Sequence, residues 1–248
     1  MSENESSIPI SSEHVLEVLQ NGEVDNEYGM LRWSSNYAFL IDLVLNDVRL
    51  TAVYKPQRGE RPLWDFPDGT LCYRETAAFL TSRQLGWEIV PPTVLREGPR
   101  GLGSVQFYID HDPEMNYFTF GTEFAPQLMR ISAFDHLINN ADRKGGHCLL
   151  DSEGHIWGID HGIAFNSVHK LRSVIWDFAG QPIPEDLLVS IGCLFDALDD
   201  PENDYNQSMR KLLSAQEMRA FQSRLRYILK HKRYPTPGPG PNYPWPPV

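Results

Sequence analysis

The stretch "NNADRKGGHCLLDSEGHIWGIDHGIAF", residues 139–165, concentrates chemically active side chains. It contains three histidines, five glycines and a pair of asparagines, together with several aspartates. An ordinary hairpin does not need this many residues of the types that bind metals or take part in catalysis. Two interpretations are therefore open: a histidine cluster that binds a metal, or a site that handles phosphate.

Regular elements are predicted on both sides of this stretch. The preceding segment "PQLMRISAFDHLINN" places its apolar residues on one helical stripe. Within the stretch, "HCLL" and "HIWGID" are predicted to be short strands joined by a tight turn. Further on, "EDLLVSIGCLFDAL" and "SAQEMRAFQSRLRYILK" predict two more helices. This part of the chain is expected to be mainly helical, with one hairpin.

The first part of the chain is predicted to be rich in strands. The runs "YAFLIDLVL" and "VRLTAVYK" flank Asn46-Asp47 and predict a hairpin. The segment "TLCYRETAAFLTSRQLG" predicts an amphipathic helix that ends at Gly86, the one helix expected here. The segment "TVLREGPRGLGSVQFYID" then predicts two strands around a turn. The last segment, "PTPGPGPNYPWPPV", can form neither a helix nor an interior strand, so we expect a tail that is disordered or packed along the surface.

Four charged residues lie on these elements in an order that is informative about the fold. Lys55 ends an apolar strand, Glu75 lies early in the following helix, Asp142 lies on a loop after a helix, and Asp160 follows the hairpin. This order resembles a protein-kinase-like fold. The resemblance implies an α+β, two-lobed fold with a β-rich small lobe at residues 12–110, a helical large lobe at 111–233 and a Pro-rich tail at 234–248.

A closer resemblance is carried by "YKPQRGERPLWDFPDGTLCYRE", "GWEIVPPTVL", "NNADRKGGH" and "GIDHGIAF". These motifs resemble the type II phosphatidylinositol 4-kinases and, more closely, the small bacterial SCO1664-type family of phosphatidylinositol 3-/4-kinase-like proteins. The resemblance covers roughly residues 12–230. It implies a kinase-like fold that uses ATP with Mg²⁺ or Mn²⁺, and it does not define the substrate.

The resemblance implies a role for each catalytic residue. Lys55 is expected to contact the ATP phosphates, Glu75 to orient Lys55, and Asp160 to bind the metal ion. Asp142 is expected to accept a hydroxyl proton or to orient the nucleophile. Asn140 and Arg143 are expected to orient Asp142 or to bind the transferred phosphate. Asn140 is also a candidate helix C-cap.

His147 departs from the protein-kinase pattern, which has a metal-binding Asn five residues after the catalytic Asp. An imidazole suits Mn²⁺ or Zn²⁺ better than Mg²⁺. Three possibilities remain open: His147 binds a softer metal ion, His147 contacts phosphate, or the site has no second metal ion.

Further nucleotide contacts are predicted in the small lobe. Ser34, Ser35 and Asn36 stand where protein kinases have a Gly-rich phosphate loop, although a plain turn is the alternative. Gln106 lies where a kinase pairs adenine through its backbone, and Phe107 and Tyr108 are candidates to line that pocket.

The insert "RGERPLWDFPDGTL" directly follows the strand of Lys55. It is either a simple connection or a lid over the nucleotide. In a lid, Arg58 and Arg61 would meet phosphate, while Trp64 and Phe66 would anchor the loop.

Composition limits the possible partners and location. The net charge of −11 disfavours nucleic acid and an anionic membrane surface as partners. No apolar run has the length of a membrane-spanning helix, and the N-terminus does not resemble a signal peptide. The three cysteines show no paired spacing. We therefore expect a cytoplasmic protein without integral membrane association, and the oligomeric state stays open.

The leading hypothesis is a phosphotransferase that depends on ATP and a divalent metal and acts on a hydroxyl of an unidentified, soluble acceptor. One alternative keeps the fold but binds nucleotide without turnover or transfers AMP. A distant alternative is a metallohydrolase that uses His147, His155 and His161 with nearby aspartates.

Overall fold

The computed structural model describes residues 11–30 and 37–248. Its helices and strands, in chain order, are α1 (Ser12–Asn21), β1 (Glu23–Met30), β2 (Phe39–Leu45), β3 (Val48–Pro56), α2 (Leu71–Leu85), β4 (Thr93–Gly98), β5 (Gly101–Phe107), α3 (Ala125–Ile138), β6 (Cys148–Leu150), β7 (Ile156–Gly158), α4 (Glu185–Asp199), α5 (Asp204–Leu212) and α6 (Ala215–His231).

The chain divides into two compact units. The first contains the residues up to Arg61 together with Pro92–Tyr108, and the second contains Pro62–Pro91 and Ile109–Val248. Helix α2 therefore belongs to the second compact unit, whereas the sequence-based division counted it with the small lobe. The lobe boundary placed near residue 110 stays a prediction.

The first unit is an antiparallel sheet with the strand order β1-β2-β3-β5-β4. The predicted hairpin is present: β2 and β3 pair in register from Phe39 opposite Tyr54 to Leu45 opposite Val48. Asn46 makes the turn with φ +53°, a conformation that Asn tolerates better than most residues. The strand pairs β2–β3 and β4–β5 thus confirm the pattern-based prediction.

One face of this sheet carries the apolar core of the first unit. On β3, Leu50, Ala52 and Tyr54 are buried at alternate positions, and α1 packs Val18 and Leu19 against the same cluster. Because side chains alternate along a strand, the next residue after Tyr54 points to the opposite face. The prediction of one helix in this region was incomplete, since α1 and β1 were not recognised.

Helix α2 is buried on most of its surface and is anchored within the second unit. Arg74 forms an ion pair with Glu217 of α6 at 2.5 Å and donates to the carbonyl of Ala164 at 2.9 Å. The helix ends at Gly86, which adopts φ +67° as a left-handed C-cap. The predicted end of this helix is confirmed, and the ion pair fixes its orientation within the second unit.

The remaining helices of the second unit agree with the predicted pattern except for α5. Helix α5 begins at the N-cap Asn203, whose side chain accepts a hydrogen bond from the backbone N–H of Tyr205. Helix α6 begins with a reciprocal capping box between Ser214 and Glu217. No helix in the described part of the chain is both long enough and apolar enough to cross a bilayer.

The Pro-rich tail packs along the surface of the second unit. Tyr234 is buried and donates its hydroxyl hydrogen to the carbonyl of Met129. The carbonyl of Asn242 accepts hydrogen bonds from Ser173 N and from the Trp176 indole. Of the two states considered for the tail, the structure shows the packed one.

Candidate active site

The loop that carries Asp142 begins at the end of α3. Asn139 is the helix C-cap, with φ +56°, and its side-chain amide donates to the carbonyls of Asn166 and Val168. Its side-chain oxygen also accepts a hydrogen bond from Lys170 N. The C-cap is therefore Asn139, and the alternative C-cap role considered for Asn140 is wrong.

A buried ion pair holds the loop in place. The guanidinium of Arg143 donates to both carboxylate oxygens of Asp135, with Nε–Oδ2 at 2.9 Å and Nη2–Oδ1 at 3.0 Å. The side chains are 0% and 1% exposed, respectively. This two-point geometry is the strongest arrangement that an Arg and a carboxylate can form.

Arg143 also donates hydrogen bonds to three other residues around the site. Its Nη1 donates to the carbonyls of His147 and Ile159, and its Nη2 donates to His161 Nε2 at 2.6 Å. An Arg has five N–H donors, and these contacts with those to Asp135 occupy all of them. Of the two roles considered for Arg143, the geometry therefore matches positioning of the loop, and direct binding of phosphate does not fit.

Asn140 connects this ion pair to the candidate catalytic aspartate. Its side-chain amide donates to Asp135 Oδ1 at 2.9 Å, and its side-chain oxygen accepts from Asp142 N at 3.1 Å. Asn140 is fully buried. These hydrogen bonds are consistent with the first of the roles considered for Asn140, orienting Asp142, and that role stays a prediction.

The Asp142 carboxylate lies at the surface of the loop and is 26% exposed. Partial burial raises the pKa of Asp142 to about 6, Lys144 opposes this shift, and Asp160 adds to it. Lys144 Nζ lies 3.7 Å from Asp142 Oδ2. The two aspartates therefore share one electrostatic environment, as expected for residues of one site.

His147 links the loop to the turn after the hairpin. Its Nδ1 lies 2.9 Å from the carbonyl oxygen of Asp142, and its Nε2 lies 3.5 Å from Asp160 Oδ2. Since a carbonyl only accepts, Nδ1 carries the proton of this hydrogen bond. A histidine held in this way presents Nε2, the arrangement typical of metal-binding histidines.

Asp160 adopts an unusual backbone conformation, with φ +61°. Such a left-handed Asp costs free energy, and such residues cluster at functional sites. The neighbouring backbone is held on both sides: Ile159 N donates to His147 O at 3.0 Å, and His161 N donates to Glu75 Oε2 at 3.0 Å. The structure thus brings Glu75, Asp142, His147 and Asp160 together around one turn.

The donor set is compatible with a divalent metal. Two atoms that each lie about 2.1 Å from one ion are separated by roughly 3–3.5 Å at ordinary coordination angles. The 3.5 Å between His147 Nε2 and Asp160 Oδ2 is consistent with this spacing. In the described residues, no three His, Cys, Asp or Glu side chains form a complete metal site. Additional ligands would have to come from water or a bound phosphate.

Lys55, Gln106, Phe107 and Tyr108, four of the predicted nucleotide-binding residues, lie in the first unit. Lys55 is on β3 opposite Ser104 of β5, at a position that alternates with the buried Tyr54. Its pairing with Glu75, which belongs to the second unit, stays a prediction. The candidate phosphate loop of Ser34, Ser35 and Asn36 lies outside the described residues.

The adenine-binding prediction at Gln106, Phe107 and Tyr108 stays a prediction. Gln106 is buried in β5, between β3 and β4, and its side chain donates to Thr93 at 2.9 Å. The next two backbone N–H groups donate to the carbonyls of Pro92 and Thr51. The backbone donors at Phe107 and Tyr108 are therefore already used within the sheet.

The insert after β3 has one buried aromatic residue rather than two. Phe66 is buried, and the guanidinium of Arg74 lies 4.9 Å from its ring centre. Trp64 is 93% exposed, with Lys170 Nζ 4.8 Å from its ring centre, and its role as an anchor stays a prediction. Asp65 holds the insert through an ion pair with Lys170 at 2.8 Å. Arg58 and Arg61 are exposed, and their role in a lid stays a prediction.

The three histidines of the quoted stretch do not converge. His155 contacts the carbonyl of Glu88 and the ring of Trp157, while His161 is buried against Phe134 and Arg143. His147 has its Nε2 atom 3.5 Å from Asp160 Oδ2. This arrangement does not support the metallohydrolase interpretation.

Asp135 is a key residue that the sequence analysis missed. It lies seven residues after Leu128 and four after Ile131, so it falls on the apolar stripe of α3. A charged residue on such a stripe needs a buried partner. A charged residue at an apolar position of the helix was therefore the sequence signal that could have identified Asp135.

The fold and the site together define a protein of the protein-kinase-like class. The family model described as phosphatidylinositol 3- and 4-kinase matches residues 96–220. The chain is 37% identical over 264 residues to Protein Rv2133c of Mycobacterium tuberculosis, covering 92% of this chain and 94% of that protein. The chain therefore belongs to the phosphatidylinositol 3- and 4-kinase family, which confirms the family resemblance.

A solved structure supports the same fold class. The crystal structure of a Helicobacter pylori proinflammatory kinase, CtkA, matches with a TM-score of 0.51 at 15% sequence identity. The match covers 87% of this chain and 94% of that chain. The α+β, two-lobed kinase-like fold is thus confirmed, and the family and fold support a kinase-like phosphotransferase.

Proposed function

We propose that this protein transfers the γ-phosphoryl group of ATP to a hydroxyl group of a soluble acceptor, with Mn²⁺ or Mg²⁺ as the metal. The observation that carries the proposal is the link made by His147 between the Asp142 backbone and the Asp160 carboxylate. It joins the loop of the candidate base to the turn of the candidate metal ligand, and phosphoryl transfer requires such groups to be positioned together.

Each residue then has a defined task. Asp160 and His147 would hold the metal, which would neutralise charge on the phosphates of the nucleotide. Lys55 would contact the phosphates, and Glu75 would orient the lysine. Asp142 would orient the attacking hydroxyl and receive its proton. Asn140 and Arg143 would act indirectly, because they hold the loop that carries Asp142.

Turnover of labelled ATP tests this proposal. The wild-type protein should release labelled phosphate or label an acceptor when Mn²⁺ or Mg²⁺ is present, and Asp160→Asn should reduce the rate at least about 100-fold. Asp196→Asn, an exposed aspartate on α4, is the matched control and should leave the rate unchanged. Absence of turnover together with absence of nucleotide-dependent thermal stabilisation would refute the proposal. Products that carry AMP would replace it by the AMP-transfer alternative.

The role of His147 has its own test. A soft imidazole ligand favours Mn²⁺ over Mg²⁺, whereas an amide oxygen favours Mg²⁺. His147→Asn should therefore lower the ratio of Mn²⁺-supported to Mg²⁺-supported turnover by about tenfold. His155→Asn, in the same hairpin region, is the control. An unchanged ratio in His147→Asn would remove this histidine from the metal site.

A further inference from the structure

An aromatic cleft lies in the second unit and has no role in the function proposed above. It has a volume of about 340 Å³, and the residues that line it include Tyr117, Phe118, Phe120, Leu128, Asp177 and Phe178. This volume is at the lower end of the range for small-molecule sites. Leu128 and Phe178 are buried and form its floor. The cleft therefore offers preformed apolar walls.

Four of the nine lining residues carry aromatic rings. The rings of Tyr117 and Phe118 meet edge to face, with centroids 5.1 Å apart. Phe118 is 54% exposed, a large exposed fraction for an apolar ring. Because each ring face carries partial negative charge, a group of such rings attracts an organic cation.

The charge of the cleft favours the same class of ligand. Asp177 is exposed at the cleft and accepts a hydrogen bond from the Tyr117 hydroxyl. Among the described residues that line it, none is Lys, Arg or His. The carboxylate of Asp177 is thus the charged group among the lining residues, and a carboxylate attracts a cation and repels an anion.

The cleft also adjoins the candidate catalytic loop. Tyr117 N donates to the carbonyl of Gly145, which follows Asp142 by three positions. A Cβ atom at Gly145 would lie 2.6 Å from the ring of Phe118, so this ring packs directly against the loop backbone. A ligand held by the rings is thus next to the loop that carries the candidate base.

We propose that the aromatic cleft binds the ammonium group of the acceptor, which is an alcohol that also carries a trimethylated or similarly substituted amine. This inference rests on the phosphotransfer proposed above. The acceptor hydroxyl forms a new bond to the γ-phosphorus, the bond between that phosphorus and the ADP oxygen breaks, and the hydroxyl proton passes to Asp142. The ammonium group takes no part in the chemistry and fixes the position of the hydroxyl.

Binding of a cation and its neutral isostere by titration calorimetry tests the inference. Choline is the cationic probe, and 3,3-dimethylbutan-1-ol has the same shape without the charge. Choline should bind the full-length protein at least about tenfold more tightly than the neutral alcohol. Asp177→Asn and Phe118→Leu should each reduce this ratio at least about threefold, because they remove the charge or the ring face while they keep size and polarity similar.

Matched controls and separate readouts make the outcomes distinct. Asp196→Asn, which removes a carboxylate outside the cleft, should leave the choline ratio unchanged. Equal binding of the two probes, no binding of choline at millimolar concentration, or a ratio insensitive to both variants would overturn the inference. Thermal stabilisation by ATP with Mn²⁺ is measured on the same wild-type sample. Stabilisation without choline binding refutes the cleft alone, and choline binding without any nucleotide effect or turnover refutes the phosphotransfer.

Discussion

Replacing Asp135 with Asn should destabilise the protein far more than its small change in size suggests. The variant keeps the shape of the side chain but removes the charge opposite Arg143, whose guanidinium is 0% exposed. Breaking a buried pair by removal of one partner costs about 3–5 kcal/mol, since the remaining charge has no compensation. A domain has about 5–15 kcal/mol of total stability. We therefore expect the melting temperature to fall by roughly 6–20 °C.

Urea unfolding followed by tryptophan fluorescence measures this loss, and Asp199→Asn is the control. Asp199 is exposed and accepts a hydrogen bond from Gln222 at the surface, so its replacement should change the unfolding free energy by less than about 0.5 kcal/mol. In a double-mutant cycle, Asp135→Leu should cost less in an Arg143→Met background than in the wild type. A loss below about 1 kcal/mol for Asp135→Asn would refute the reasoning.

Three further outcomes are expected. Burial lowers the pKa of His136 from its usual 6.5 to about 3, so the unfolded chain binds more protons than the folded chain between these pH values. The unfolding free energy should therefore fall by about 2 kcal/mol from pH 6.5 to pH 5. His136→Leu should remove this part of the pH dependence, measured by urea titrations. In Gly103→Ala the new Cβ would lie 2.5 Å from a β3 carbonyl, so thermal denaturation should show a loss of about 1–3 kcal/mol, while Gly192→Ala in α4 meets no atom within 4 Å and should gain about 0.5–1 kcal/mol. Deletion of residues 241–248 removes the Pro247 carbonyl that accepts from Gly145 N, so hydrogen exchange at this amide should accelerate at least about tenfold relative to the intact chain.

The elements predicted from local patterns were mostly correct. The hairpin around Asn46 and the end of α2 at Gly86 depend on turn and cap residues, whose conformational preferences act within a few residues. Helices α1 and α5 were missed although Ser11 and Asn203 cap them. Their short length gives few periods of apolar residues, so the pattern was too weak to separate them from loops.

The predictions for the candidate site agree with the structure at some residues and differ from it at others. Glu75, Asp142, His147 and Asp160 were selected by their order and spacing, and the structure brings them around one turn. Trp64 was expected to be an anchor because it is aromatic, but its environment is set by distant segments and it lies exposed. Burial depends on the whole fold, and residue type alone predicts it poorly.

The sequence by itself indicated the family, the order of the main elements and the candidate catalytic residues, because these depend on local spacing and residue type. Only the tertiary structure decided which charges are buried, and it showed that the buried ion pair of Asp135 and Arg143 supports the loop that carries Asp142. It also selected His147 from three histidines by placing its two ring nitrogens between Asp142 and Asp160. The reason is that hydrogen bonds act over about 3 Å, and residues far apart in sequence reach this distance only after the chain has folded.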